Sequence, residues 1–130
     1  MQRKEMSMKT IYVTSPYAGD IKKNTEFAKK ACQFVLEQGC GFFCPHLLYP
    51  NILDENNPKD RQLGMDMGLV MLKNCDELWC FGERISQGMM AEIEEAHKSN
   101  IPTRRVLETE QGFHIGEVKN SAPTMQMGMV

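Results

Sequence analysis

Strand and helix patterns alternate along this chain of 130 residues, and the alternation predicts a doubly wound parallel α/β fold. Three observations carry the prediction. Four β-rich or apolar runs, Thr10–Thr14, Gly41–Cys44, Asp76–Phe81 and Ile101–Val106, recur along the chain. The segments between them switch to helical period, and glycine, proline or asparagine stands at the joints. The expected product is four to five parallel strands with helices on both faces.

Each element has a local reason. Thr10-Ile11-Tyr12-Val13-Thr14 is rich in β-branched residues and is halted by Ser15-Pro16-Tyr17-Ala18-Gly19-Asp20. From Asn24 to Gln38 the apolar residues Phe27, Ala31, Phe34 and Val35 fall on one helical face, and Gly39 stops the helix. Gly41-Phe42-Phe43-Cys44 reads as a short buried strand closed by Pro45-His46, and Leu47 to Lys59 as a long polar loop. A helix is expected from Asp60 to about Asn74, with Met65, Leu69 and Leu72 apolar. After the third strand, a helix following Gly88 buries Met89, Ile93 and Ala96, exposes Glu94 and Glu95, and pairs Glu94 with Lys98. Asn100 ends it. Gly112 to Val118 adds a short edge strand.

Length and composition fix the broad class. The chain suits one domain over residues 9–118, with a flexible leader at 1–8 and a Met-rich tail at 119–130, flexible or partner-bound. Apolar residues make up 42% and charged residues 25%, ordinary values for a globular protein. A net charge of −2 gives no electrostatic case for nucleic acid or an anionic membrane. No apolar run reaches the length of a membrane span and the start is not signal-like, so a cytoplasmic protein is expected. The five cysteines are odd in number and lack a CxxC pair, which favours reduced core thiols over a metal site or disulfides. Most of the eleven methionines stand at helix core spacing, where gap-filling accounts for them. No cofactor is expected.

The most informative stretch is Ser86-Gln87-Gly88-Met89-Met90-Ala91-Glu92, directly after the apolar run ending at Phe81-Gly82. In an open parallel sheet a strand-to-helix joint lies at the carboxyl edge, where ligands bind. Helix-start amides there can hold an anion, and Glu92 stands about one turn further in. Glu92 borders Met89 and Ala96, so it lies beside the core face rather than opposite it. The competing structural roles are plain: Ser86 as a helix cap, Tyr12 as a packed strand aromatic, His46 as a strand-end residue, Glu92 as a helix-flank carboxylate.

Two motifs in order carry a family resemblance over roughly Lys9 to Val106. Ile11-Tyr12-Val13-Thr14-Ser15-Pro16-Tyr17-Ala18-Gly19 resembles the first strand and loop of the nucleoside 2-deoxyribosyltransferases. Asp76 to Phe81, followed by Ser86-x-Gly88-x-x-x-Glu92-x-x-x-Ala96, is similar to their catalytic strand, loop and helix, above all in the deoxynucleoside 5′-monophosphate N-glycosidase branch. Pro45-His46-Leu47 extends the similarity to small deoxyribosyltransferase-like proteins of the same flavodoxin/Rossmann-like fold.

The resemblance implies Glu92 as nucleophile and Tyr12 as the residue that orients it. It implies Ser86 and Gly88 as binders of a phosphate or sugar hydroxyl, with Ser15, Pro16, Tyr17 and Gly19 walling the sugar and His46 at the same rim. It further implies a nucleoside or nucleotide as small-molecule partner, and a homo-oligomer. The chemistry suits the residue types, because cleaving an N-glycosidic bond builds positive charge at the anomeric carbon.

Two positions depart from the family pattern. Asp20 stands where the glycosidase branch has a small residue, adding negative charge near the expected phosphate. Gly68 stands where the family usually has an acid, eight residues before Asp76. Asp66 cannot simply replace it, since two residues along a helix is about 200° of rotation. Asp60, Asp66 and His46 stay open as the acid or base, and a nucleotide-binding module without catalysis stays open beside the enzyme. A nucleotide-sugar chemistry with His46 as base is the third reading.

Overall fold

The computed structural model describes residues 8–119. The expected leader at 1–8 and tail at 119–130 lie outside the described residues, apart from Met8 and Lys119. Lys119 is tied in, pairing with Thr103 in an antiparallel bridge.

The elements are β1 (Thr10–Thr14), α1 (Ile21–Glu37), β2 (Gly41–Phe43), α2 (Pro45–Leu48) and a 3-10 turn (Tyr49–Asn51), then α3 (Pro58–Leu72) and β3 (Glu77–Phe81). There follow α4 (Gln87–Lys98), β4 (Thr103–Thr109) and β5 (Gly112–Ile115). They form a five-stranded sheet in the order β2-β1-β3-β4-β5. β1 pairs in parallel with β2 and β3, and β3 with β4. The expected edge strand is present but runs antiparallel to β4, so the sheet is mixed. The tight turn Glu110–Gln111 leaves no chain for the crossover a parallel neighbour needs.

Strand alternation sorts the core into two layers. Ile11 and Val13 of β1, with Trp79 and Phe81 of β3, pack against Ala28, Ala31, Cys32 and Val35 of α1. Tyr12, Leu78 and Cys80 point the other way, against Leu72 of α3 and Met89 and Ala96 of α4. Every residue of β3 is buried, as a central strand covered on both faces requires. Helices thus cover both faces, as the sequence predicts.

The boundaries shift for local reasons. α1 starts a turn earlier than its apolar period, because Asp20 caps it by accepting from the Lys23 amide at 3.1 Å. α3 also starts early, with Asn57 accepting from the amides of Lys59 and Asp60 and Pro58 supplying a helix-ready first residue. The stretch expected as a polar loop from Leu47 holds short helical turns instead, begun by Pro45 and Pro50 at the positions that tolerate a missing N–H. β4 begins at Thr103 rather than Ile101, and the pairing with β5 carries it on to Thr109. Cys32, Cys44, Cys75 and Cys80 are buried free thiols, and Cys40 is half-buried.

No helix among the described residues is long and apolar enough to cross a membrane.

Candidate functional site

Chain order and sheet order disagree at one place, and the site lies there. The chain leaves β1 for β2 on one side, then crosses back to place β3 on the other side of β1. Loops from the carboxyl ends of β1 and β3 therefore diverge and leave a crevice between them. The crevice is a hollow of about 570 Å³, a size suited to a small organic ligand. Its walls come from the β1–α1 loop (Pro16 to Gly19), from Pro45, His46 and Tyr49 after β2, and from Arg84, Ser86, Gln87 and Gly88 after β3. α3 contributes Arg61, Gly64, Met65 and Leu69, and α4 contributes Glu92.

Glu92 is fixed from both ends of its carboxylate. The Tyr12 hydroxyl donates to Oε2 at 2.5 Å, and the Thr14 hydroxyl donates to Oε1. Tyr12 and Thr14 are two apart on β1, so the strand's period of two aims both at α4. Burial pushes the Glu92 carboxyl above the usual carboxylate range, and the two hydroxyl bonds oppose that shift. Glu92 is among the residues that line the hollow. The arrangement is a positioned, partly desolvated carboxyl group on a residue that lines a ligand-sized space.

Gly68 explains how Tyr12 reaches Glu92. A Cβ at Gly68 would lie 2.9 Å from the Tyr12 hydroxyl, a distance that real Cβ atoms essentially never show. The phenol oxygen occupies the room that any side chain at 68 would need. Tyr12 itself is fully buried and does not border the hollow, so it acts on a ligand only through Glu92.

The remaining expected residues divide. Pro16, Tyr17, Gly19, His46, Ser86 and Gly88 all line the hollow together with Glu92. Tyr17 and His46 stack with ring centroids 4.9 Å apart and planes 26° apart, making a flat aromatic wall. Burial drives the His46 pKa down to about 4, against a weak upward pull from the Ser15 backbone, so the imidazole is neutral near pH 7. Ser86 caps α4, its Oγ accepting from the Met89 amide at 3.2 Å. Its hydroxyl still has an O–H to donate. Ser15 is not brought to this space: it is fully buried, and its Oγ has no hydrogen-bond partner.

Three acids considered from the sequence are elsewhere. Asp20 is occupied in capping α1 and is not among the residues bordering the hollow. Asp60 accepts from the Asp54 amide and Asp66 from the Gln62 side chain, each at 2.8 Å and each outside the hollow.

Four residues escaped sequence reading. Thr14 carried a usable signal, standing two after Tyr12 on the same strand face. Arg61, Arg84 and Glu55 carried none, being charges on a helix start and in loops that fit no motif. Neither arginine forms a salt bridge among the described residues. No group of three or more metal-capable side chains occurs among the described residues.

The model of a family described as Domain of unknown function (DUF7768) matches residues 9–106. The chain belongs to that family. Among solved structures, this DUF7768 protein is similar to a 2-deoxyribosyltransferase from the psychrotolerant bacterium Bacillus psychrosaccharolyticus. The two share 18% identity and a TM-score of 0.64 over 78% of this chain and 74% of that one. It is also similar to a conserved protein from Enterococcus faecalis V583, at 20% identity and a TM-score of 0.54, over 76% of this chain and 63% of that one. No curated protein matches the chain. At these identities the likeness establishes the α/β fold of the DUF7768 chain.

Proposed function

We propose that this protein breaks or transfers the N-glycosidic bond of a nucleoside or nucleotide, with Glu92 as nucleophile. The observation that carries the reading is the Glu92 carboxylate, held by two hydroxyls at the edge of a nucleoside-sized hollow. The fold shared with a 2-deoxyribosyltransferase supports it.

In the first step a Glu92 oxygen forms a bond to the anomeric carbon as the bond to the base nitrogen breaks, the electron pair leaving with the base. Water, or a second base, then attacks the same carbon and Glu92 departs as carboxylate. Tyr12 and Thr14 hold the carboxylate in line and restrain its rotation. The Tyr17–His46 stack offers a flat face to a base or sugar, while Ser86 and Gly88 at the start of α4 offer donors to a hydroxyl or phosphate. Pro16 and Gly19 shape the wall beside the sugar. Arg61 and Arg84, unpaired among the described residues, favour a phosphorylated substrate.

A homo-oligomer belongs to the same reading. Leu63, Met67 and Val70 are 48%, 39% and 49% exposed along one stripe of α3, with Met90 of α4 also exposed, and a second copy would cover them.

The test is a panel of deoxynucleosides and their monophosphates, with free base measured by chromatography. Release by the wild type that is lost in Glu92→Ala supports the activity; no release, or equal release by both, refutes it. Gly68 favours a second reading, a nucleotide-binding module that lacks the usual acid. Stabilisation against heat by a nucleotide without any base release would select that reading.

A further inference from the structure

Glycosidic cleavage through one carboxylate leaves a proton unassigned. A base leaving as an anion is a poor leaving group, and the water of the second step must lose a proton. The position from which the resemblance implies an acid is Gly68, where the Tyr12 hydroxyl already fills the space of a side chain. Asp60 and Asp66 are hydrogen-bonded outside the hollow. Among the described residues two acids border it, Glu92 and Glu55. Glu55 comes from the segment between the 3-10 turn and α3, is half-buried, and lies close enough to Tyr17 to act on it electrostatically.

On the reading proposed above, we infer that Glu55 is the proton-transfer carboxylate of this site, supplied by the loop before α3 in place of an acid at position 68. The cycle closes on it. In the first step the Glu55 carboxyl gives a proton to the base nitrogen as the carbon–nitrogen bond breaks and Glu92 bonds to the anomeric carbon. In the second step the Glu55 carboxylate takes a proton from the attacking water, whose oxygen bonds to that carbon while Glu92 leaves. Base and free sugar depart, and both glutamates return to their starting states.

His46 is the competing donor, and its ring is held against Tyr17 with centroids 4.9 Å apart. Its stacking partnership with Tyr17 fits a wall better than a relay.

The experiment separates proton transfer from everything else by the leaving group. Base release is measured for wild type, Glu55→Gln, His46→Gln and Glu92→Gln with an ordinary purine deoxynucleoside or its monophosphate. It is repeated with the 7-methylpurine counterpart, whose base is already cationic and leaves without a proton, and the uncatalysed rate is subtracted. Glu55→Gln is expected to lose about 10²–10⁴-fold on the ordinary substrate and far less on the methylated one, while Glu92→Gln loses both. Equal losses on the two substrates, no loss on either, or a leaving-group-selective loss in His46→Gln instead, would overturn the assignment. Absence of release from both substrates by the wild type overturns the glycosidic activity itself, and this role with it.

Discussion

The close approach of Gly68 to Tyr12 yields a sign reversal that can be measured without knowing the substrate. An alanine methyl at 68 would lie 2.9 Å from the Tyr12 hydroxyl, while ordinary contact begins at 3.4 Å, so about half an ångström must be found. The phenol cannot easily retreat, because it is fully buried and tied to Glu92 at 2.5 Å. Overpacking of this kind costs about 1–3 kcal/mol. Against that, alanine in place of glycine inside a helix gains about 1 kcal/mol. Gly68→Ala alone should therefore be neutral to destabilising by about 2 kcal/mol. In a Tyr12→Phe background the oxygen is gone, and the same change should stabilise by about 1 kcal/mol. Urea unfolding of the four proteins measures the cycle, with a coupling of about 1–3 kcal/mol expected. A Gly68→Ala effect of the same sign and size in both backgrounds would refute the packing argument.

Other predictions follow from the same geometry. Because burial raises the Glu92 carboxyl in the folded state, the protonated form is favoured there; that contribution is full at low pH and is lost as pH rises through the raised folded value. Glu92→Gln should therefore melt no lower than wild type at neutral pH, and a clear drop in melting temperature would contradict this. Activity that needs ionised Glu92 should rise with pH through a range above that of ordinary carboxylates, as a pH–rate profile would show. His46 behaves oppositely: its folded pKa is lowered from 6.5 to about 4, so its share of stability is present above 6.5 and lost as pH falls toward 4. His46→Gln should flatten the melting temperature across that interval, and an unchanged slope would count against it. At the amino end of the central strand β3, buried Glu77 accepts from Lys9, Trp79 and Arg104. Glu77→Ala should cost about 2–4 kcal/mol in urea unfolding by stranding those donors, and a loss near zero would show that water satisfies them.

The fold was largely legible because its signals are local. β-branched runs, helical periods and the Gly39 stop each report on a few neighbouring residues, and the order of the elements does the rest. Boundaries slipped where caps rather than apolar residues decide, as with Asp20 and Asn57, and the direction of β5 depended on a two-residue turn. The site was half legible. Glu92 and its loop stand at a recognisable strand–helix joint, and the Tyr12–Thr14 pair follows from strand period. Glu55 and Arg61 reach the hollow only through the packing of α3 and its preceding turns over the sheet, which no short window of sequence encodes. Gly68 shows the reverse case: a residue type visible in the sequence whose meaning, room for a phenol oxygen, exists only in three dimensions.

The most direct test of the central claim compares free-base release by wild type and Glu92→Gln at equal concentrations of folded protein, on a substrate that the wild type cleaves. A carboxylate that bonds to the anomeric carbon predicts a loss of at least about 10³-fold with the fold intact. Turnover within about tenfold of wild type would mean that another group does the chemistry.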